Sequence, residues 1–231
     1  MTSDPIFGTV RAVQCGAIGP LGPKGVPSAI IKTPVAGPVA IGALGLAGDT
    51  QGDRSRHGGV DKAVHVYPLA HYADWARDLP TLADRFTPGS FGENIILDGL
   101  TEADVCIGDV FDLGTARVEV SQARQPCWKL NHRFDLPDMA RRVQDSGRTG
   151  WYLRVLMPGA VQTGDTLRLV ARPNPDWPLS RVWQLLYRDA PDAATLRAFA
   201  DLQGLSPSWR TLALRRIEVR AVEDWSPRLS G

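Results

Sequence analysis

From Phe7 to Ala171 the apolar residues come in short, β-branched runs, each closed by glycine or proline within a few positions. Runs of this kind bury one or both faces of a pleated strand but are too short for a sustained amphipathic helix. The pattern predicts a barrel or sandwich rather than repeated βαβ units. Strands are expected over 7–15, 28–35, 38–41, 63–67, 95–97, 105–113, 116–121, 150–157 and 165–171. Two helices interrupt them. Residues 69–79 place Tyr72, Trp75, Ala76 and Leu79 on one face, and residues 137–145 follow Asp135 as a candidate cap.

The character changes at Arg172-Pro173-Asn174-Pro175-Asp176, the best candidate boundary in the chain. Residues 1–172 are read as a β-rich domain and 173–231 as a small three-helix region. The first helix spans 179–187. The second runs from a cap at Asp192 to a stop at Gly204. The third starts at Ser206-Pro207, a cap residue followed by a proline where the missing N–H costs nothing. Four of the seven tryptophans lie in this tail, which suits a small unit in need of large core side chains. The fold class is therefore α+β: a β-rich barrel with peripheral helices, followed by three helices. Helix, short turn, helix also raises DNA binding. The tail, however, carries eight basic against seven acidic residues, and Arg215, Arg216 and Arg220 read as a solvated face.

Charge and cysteine usage narrow the function classes. The 231-residue chain has a formal net charge of +1, so no basic field points to nucleic acid or an anionic membrane as partner. Cys15, Cys106 and Cys127 are isolated, with no CxxC pair for a structural zinc or a dithiol motif, and fit a reducing compartment. The first residues lack the basic and apolar segments of a leader, and no apolar run is long enough for a bilayer, so the expected location is cytoplasmic.

Two stretches are chemically unusual. In Ser121-Gln-Ala-Arg-Gln-Pro-Cys-Trp-Lys-Leu-Asn-His132, Cys127 follows a rigid proline and is flanked by Arg124, Lys129 and His132. Nearby cations favour a thiolate, the form that attacks or ligates, although most free cysteines are small buried hydrophobes. The second stretch runs from Gly45-Leu-Ala-Gly-Asp49 through Arg56-His-Gly-Gly-Val-Asp-Lys-Ala-Val64. Arg54, Arg56 and Lys62 can grip an anion that glycine lets approach the backbone; a solvated loop is the alternative. Neither the phosphate-binding GxxxxGK[ST] nor the dinucleotide GxGxxG pattern is present. In Phe91-Gly-Glu-Asn94, Glu93 and Asn94 serve either the turn or a pocket.

Taken in order with Ile107-Gly-Asp109 and Gly150-Trp-Tyr152, these motifs resemble the MOSC domain family. With the helical tail, they resemble its stand-alone bacterial branch associated with resistance to 6-N-hydroxylaminopurine. The resemblance covers nearly the whole chain. It implies a barrel-like fold and the molybdenum cofactor, a pyranopterin whose dithiolene holds molybdenum. It implies Cys127 as molybdenum ligand, or as a persulfide carrier in a non-catalytic alternative. It also implies reduction of small N-hydroxylated bases and related compounds, while pyridoxal phosphate enters only as a family association. One soft protein sulfur completes a site whose other sulfurs come with the cofactor. Arg56, His57, Lys62, Asn94, Arg124 and Lys24 become candidates for contacts to the cofactor, with His57 also placed at the reacting groups. No flavin or iron–sulfur signature is present, so electrons are expected from an external flavoprotein-type donor. Monomer and homodimer stay open.

Overall fold

The computed structural model describes residues 6–52 and 58–231. In chain order, β1 (Phe7–Cys15) is followed by a hairpin of β2 (Gly19–Leu21) and β3 (Val26–Ser28), then β4 (Thr33–Pro34), β5 (Val39–Gly42) and β6 (Gly45–Leu46). A 3-10 turn at Val60–Lys62 leads into β7 (Val64–Pro68), α1 (Ala70–Asp78), a second 3-10 turn at Pro80–Arg85, and β8 (Ile95–Asp98). The β-rich part continues with β9 (Val110–Leu113), β10 (Ala116–Ala123), α2 (Lys129–Phe134), α3 (Met139–Ser146), β11 (Trp151–Met157), β12 (Gly159–Val161) and β13 (Thr166–Ala171). Four helices follow: α4 (Leu179–Tyr187), α5 (Ala193–Ala200), α6 (Pro207–Val219) and α7 (Ser226–Leu229).

Seven strands form a closed barrel in the order β13-β9-β10-β11-β7-β8-β1, with β1 returning to β13 in the register Phe7↔Arg168 and Thr9↔Thr166. Closure leaves the seven barrel strands without a free edge. The expected barrel is present, with one departure from the reading of short strands without βαβ units. β7 and β8 run parallel, joined by a crossover through α1. Their sequences explain this, because both faces are apolar. Val64, Val66, Ile95 and Leu97 point into the barrel core, while Tyr67 and Ile96 point outward into a second cluster with Trp75, Phe91, Phe134 and Met139. Strands buried on both faces are the usual setting for parallel pairing.

Two strand expectations shorten, and one cap changes place. The run 28–35 divides into the last residue of β3 and the short β4. The run 105–113 is strand only from Val110, since its first half is a turn tied by Asp109, whose carboxylate accepts from the Cys106 amide (2.8 Å) and from Arg172 (2.7 and 2.9 Å). Ile107-Gly-Asp109 is thus a structural junction: a Cβ on Gly108 would stand 2.5 Å from the Gln203 carbonyl. Asp135 does not cap α3. It is the left-handed C-terminal residue of α2 (φ 52°), and α3 starts after Asp138.

In the tail, Asp192 accepts from the Thr195 amide (2.7 Å) and Ser206 from the Trp209 amide (3.4 Å), as their sequence positions predict. Trp177, Leu185, Phe199 and Trp209 belong to the same apolar cluster as the barrel interior. Arg216 is buried rather than solvated, and its guanidinium pairs with Glu223 (2.8 Å) and donates to the Leu186 carbonyl (2.9 Å). Among the described residues, no helix is long and apolar enough to cross a membrane.

Candidate functional site

Strand alternation decides which residues of the barrel wall reach the site. Val64 and Val66 of β7, and Trp151 and Leu153 of β11, point inward. The residues between them, His65 and Tyr152, are direct partners across the two strands and point outward. Their rings lie 5.0 Å apart. Over them, loops after β3 and β6, the 91–94 turn and the start of α2 enclose a pocket of about 660 Å³ of empty space, its open mouth included. The part of it wide enough to hold a water-sized sphere is about 90 Å³.

Cys127 lines this pocket and is only 6% exposed. Among the described residues, four cationic side chains line it as well: Lys32, Lys62, Arg124 and Lys129. Among the described lining residues, Asp49 is the sole carboxylate, and it is already engaged. Asp49 Oδ1 accepts from Lys32 Nζ (2.5 Å) and the Gly16 amide (2.7 Å), and Oδ2 from Asn94 Nδ2 (2.8 Å). The Lys32 and Asp49 side chains are 6% and 8% exposed.

Arg124 follows β10 and is 6% exposed. Its Nη2 makes one long bond to the Phe91 carbonyl (3.4 Å), and its Nη1 is buried without a hydrogen-bond partner. A buried charged donor left unmade is costly, so such a group marks a place where a ligand atom belongs. Lys129 makes only a long bond to the Pro27 carbonyl (3.4 Å). The donor set matches an anion carrying several oxygens, with a thiol at its side.

His65 and Tyr152 add no charge. Burial, reinforced by the Arg124 guanidinium, pushes the His65 imidazole down to about 3, which keeps it neutral. Burial also raises the Tyr152 phenol above its ordinary value, so it retains its proton. Among the described residues, the pocket's positive potential therefore comes from the lysines and Arg124.

Of the residues proposed from sequence, the structure brings Cys127, Lys62, Asn94 and Arg124 into one pocket. Asn94 forms part of the wall, with both amide N–H donors used: Nδ2 donates to Asp49 and to the Gln14 carbonyl (3.2 Å), while Oδ1 accepts from the His65 amide (3.0 Å). Lys24 sits exposed in the turn between β2 and β3, outside the lining residues. Arg56 and His57, with Arg54, lie outside the described residues. Glu93 takes the turn role. Fully buried, it accepts from the Gly89 (2.6 Å) and Phe91 (2.9 Å) amides and from the Tyr72 hydroxyl. His132 is exposed on α2, packed against Trp128.

Sequence reasoning missed Lys32, Asp49, His65 and Tyr152 as site residues. Tyr152 stood in a quoted motif, and His65 stood between two valines that must face inward. Lys32 gave no signal, because only folding carries the loop between β3 and β4 over the barrel wall. A separate network holds the turn bearing Lys62. Arg154 pairs with Asp61 (2.6 Å) and Glu119 (2.6 Å), and Ser121 Oγ donates to the Asp61 carbonyl (2.5 Å). Among the described residues, no group of three or more His, Cys, Asp or Glu side chains is placed to hold a metal ion.

Two family descriptions match the chain: MOSC domain over residues 53–168, and YiiM-like, 3-alpha helix domain over residues 177–220. The chain is similar to Protein YiiM of Escherichia coli (strain K12), at 41% identity over 210 residues, 90% of this chain and 93% of that one. It is also similar to a protein named Reductase from Gibberella moniliformis, at 40% identity over 185 residues. That match takes in 79% of this chain but 33% of the fungal one. The crystal structure of YiiM from Escherichia coli superposes with a TM-score of 0.84 at 34% sequence identity, covering 98% of this chain and 100% of that one. For YiiM from Geobacillus stearothermophilus the TM-score is 0.76 at 37% identity, covering 91% of this chain and 99% of that one.

Proposed function

The chain belongs to the MOSC domain family, with the YiiM-like three-helix tail, and from that premise we propose that it is a molybdenum-cofactor-dependent reductase of N-hydroxylated bases and related compounds. MOSC domains are associated with this cofactor in general, and a similar fungal protein is named a reductase. The observation that carries the proposal is the conjunction of Cys127 with the unpartnered, buried Arg124 Nη1 on one cationic pocket. The residues present fit the cofactor. Cys127 supplies one soft sulfur as thiolate, and Arg124, Lys129 and Lys62 supply donors to a phosphate and other oxygens.

When bound, the cofactor supplies a two-electron redox centre able to take the oxygen of an N–OH group. Overall, the N–OH compound, two electrons and two protons give the N–H compound and water. Electrons come from an external flavoprotein-type donor. The chain's own residues then have distinct tasks. Cys127 would hold the metal through its sulfur. The lysines and Arg124 hold anionic groups where partial burial strengthens their attraction. Tyr152 Oη keeps a proton available beside the site, and neutral His65 avoids adding repulsion between cations. Asn94 and Asp49 hold Lys32 and the β7 entrance in place.

The test is to purify the chain from a host that makes the cofactor, then measure molybdenum and pterin per chain alongside reduction of an N-hydroxylated base with a flavoprotein donor. Wild type is expected to contain both, and Cys127→Ala to lose metal and turnover. A wild-type protein free of molybdenum, or a Cys127→Ala variant of unchanged activity, overturns the proposal. A persulfide on Cys127 without turnover supports the carrier instead.

A further inference from the structure

The loop bearing Cys127 is held from a distant part of the chain. Arg228, in α7, donates from Nη1 to the Pro126 carbonyl (2.5 Å) and from Nη2 to Gln144 Oε1 of α3 (2.5 Å). Its own carbonyl accepts from the Trp128 amide (2.8 Å). No side chain caps the start of α2, so this carbonyl satisfies one of the amide groups that a helix start leaves open. Next to it, the Leu229 carbonyl accepts from Asn131 Nδ2 (2.8 Å), and the Leu229 side chain is buried in the cluster of Leu130, Phe134 and Met139. The Arg228 guanidinium also lies 5.9 Å from the Tyr187 ring, whose hydroxyl accepts from Gln125 Nε2 (3.1 Å). The residue before Cys127 and the residue after it are thus both bonded to Arg228, through its side chain and its backbone respectively.

We propose that Arg228 is a positioning residue for Cys127, clamping Pro126 and Trp128 so that the thiol faces the pocket and stays shielded from solvent. It lies beyond residue 220, where the match to the three-helix description ends. Its consequence for catalysis rests on the reading of Cys127 above, but the clamp itself can be measured without any cofactor. The Arg fork is suited to this task because one planar group reaches two acceptors at once, the Pro126 carbonyl on the loop and Gln144 on α3.

The experiment is alkylation of cofactor-free protein by iodoacetamide, followed cysteine by cysteine with peptide mass mapping. In Arg228→Ala, Cys127 is expected to react about tenfold faster, since loss of charge-assisted tethers lets the loop open locally. Buried Cys15, in β1, stays slow and reports an intact barrel. Arg228→Lys keeps the charge but presents its donors from one nitrogen, which reaches the Pro126 carbonyl without the fork to Gln144, and is expected to recover part of the protection. A Cys127 rate within about twofold of wild type, equal acceleration of Cys15, or no rescue by lysine overturns the clamp. In protein from a cofactor-competent host, Arg228→Ala is expected to hold less molybdenum per chain. If wild type holds none, the functional reading fails while the alkylation result still decides the clamp.

Discussion

Replacing Arg124 with methionine is expected to separate stability from binding, with opposite signs. The guanidinium is 6% exposed, its Nη1 has no partner, and the charged neighbours lining the pocket among the described residues are mostly lysines. Asp49, the carboxylate among them, is saturated by Lys32, Gly16 and Asn94. Replacing a poorly compensated buried charge with an apolar side chain of similar length is neutral to stabilising, by about 1–4 kcal/mol. Against this stands the 3.4 Å bond to the Phe91 carbonyl, worth at most about 1 kcal/mol. The net expectation for Arg124→Met is a gain of about 1–3 kcal/mol in cofactor-free protein, read by urea unfolding, or about 2–12 °C in Tm for a chain of this size. Binding moves the other way. Loss of a charged hydrogen bond, about 1.5–3 kcal/mol, weakens an anion by about 10- to 100-fold. The probe is inorganic phosphate, titrated by its effect on Tm. Destabilisation of the empty protein by more than about 1 kcal/mol, or an unchanged response to phosphate, refutes the reasoning.

Two further expectations follow from neighbouring residues. Asn94→Ala removes three hydrogen bonds and leaves the His65 amide and the Gln14 carbonyl unpaired in the interior. It should cost about 3–5 kcal/mol by urea unfolding, and a loss below about 1 kcal/mol would remove its role as a wall element. His65 is held near 3 in the folded state against an unfolded value near 6.5, so the unfolded chain binds more protons between those limits. Its contribution to stability is therefore complete above about pH 6.5 and falls toward pH 3, by up to about 1.4 kcal/mol per pH unit. Unfolding free energies of wild type and His65→Asn should converge over that window as pH drops, and parallel curves would show that His65 does not titrate as described.

Much of the barrel was legible before folding, because period-two alternation and glycine punctuation are local signals. The caps at Asp192 and Ser206 were legible for the same reason: each depends on a contact three residues away. Cys127, Lys62, Asn94 and Arg124 were reachable through the ordered motifs. The parallel pairing of β7 with β8 was not, since it depends on which helices cover the outer face. Nor was the burial of Arg216, whose partner Glu223 comes from the segment after α6.

By itself, then, the sequence determined a strand-rich domain, a helical tail, and a reactive-looking thiol beside cations. Tertiary structure decided which of those cations share a cavity with the thiol. It brought in Lys32 and Tyr152, tied Asn94 to His65, Asp49 and Gln14 in the pocket wall, left Lys24 in an exposed turn, and placed Arg228 on the Cys127 loop. The physical reason is range. Alternation and capping act within a few residues, whereas a pocket is made where segments far apart in the chain are packed together. That packing leaves Arg124 Nη1 buried and unpaired, and this polar group is what points to a ligand.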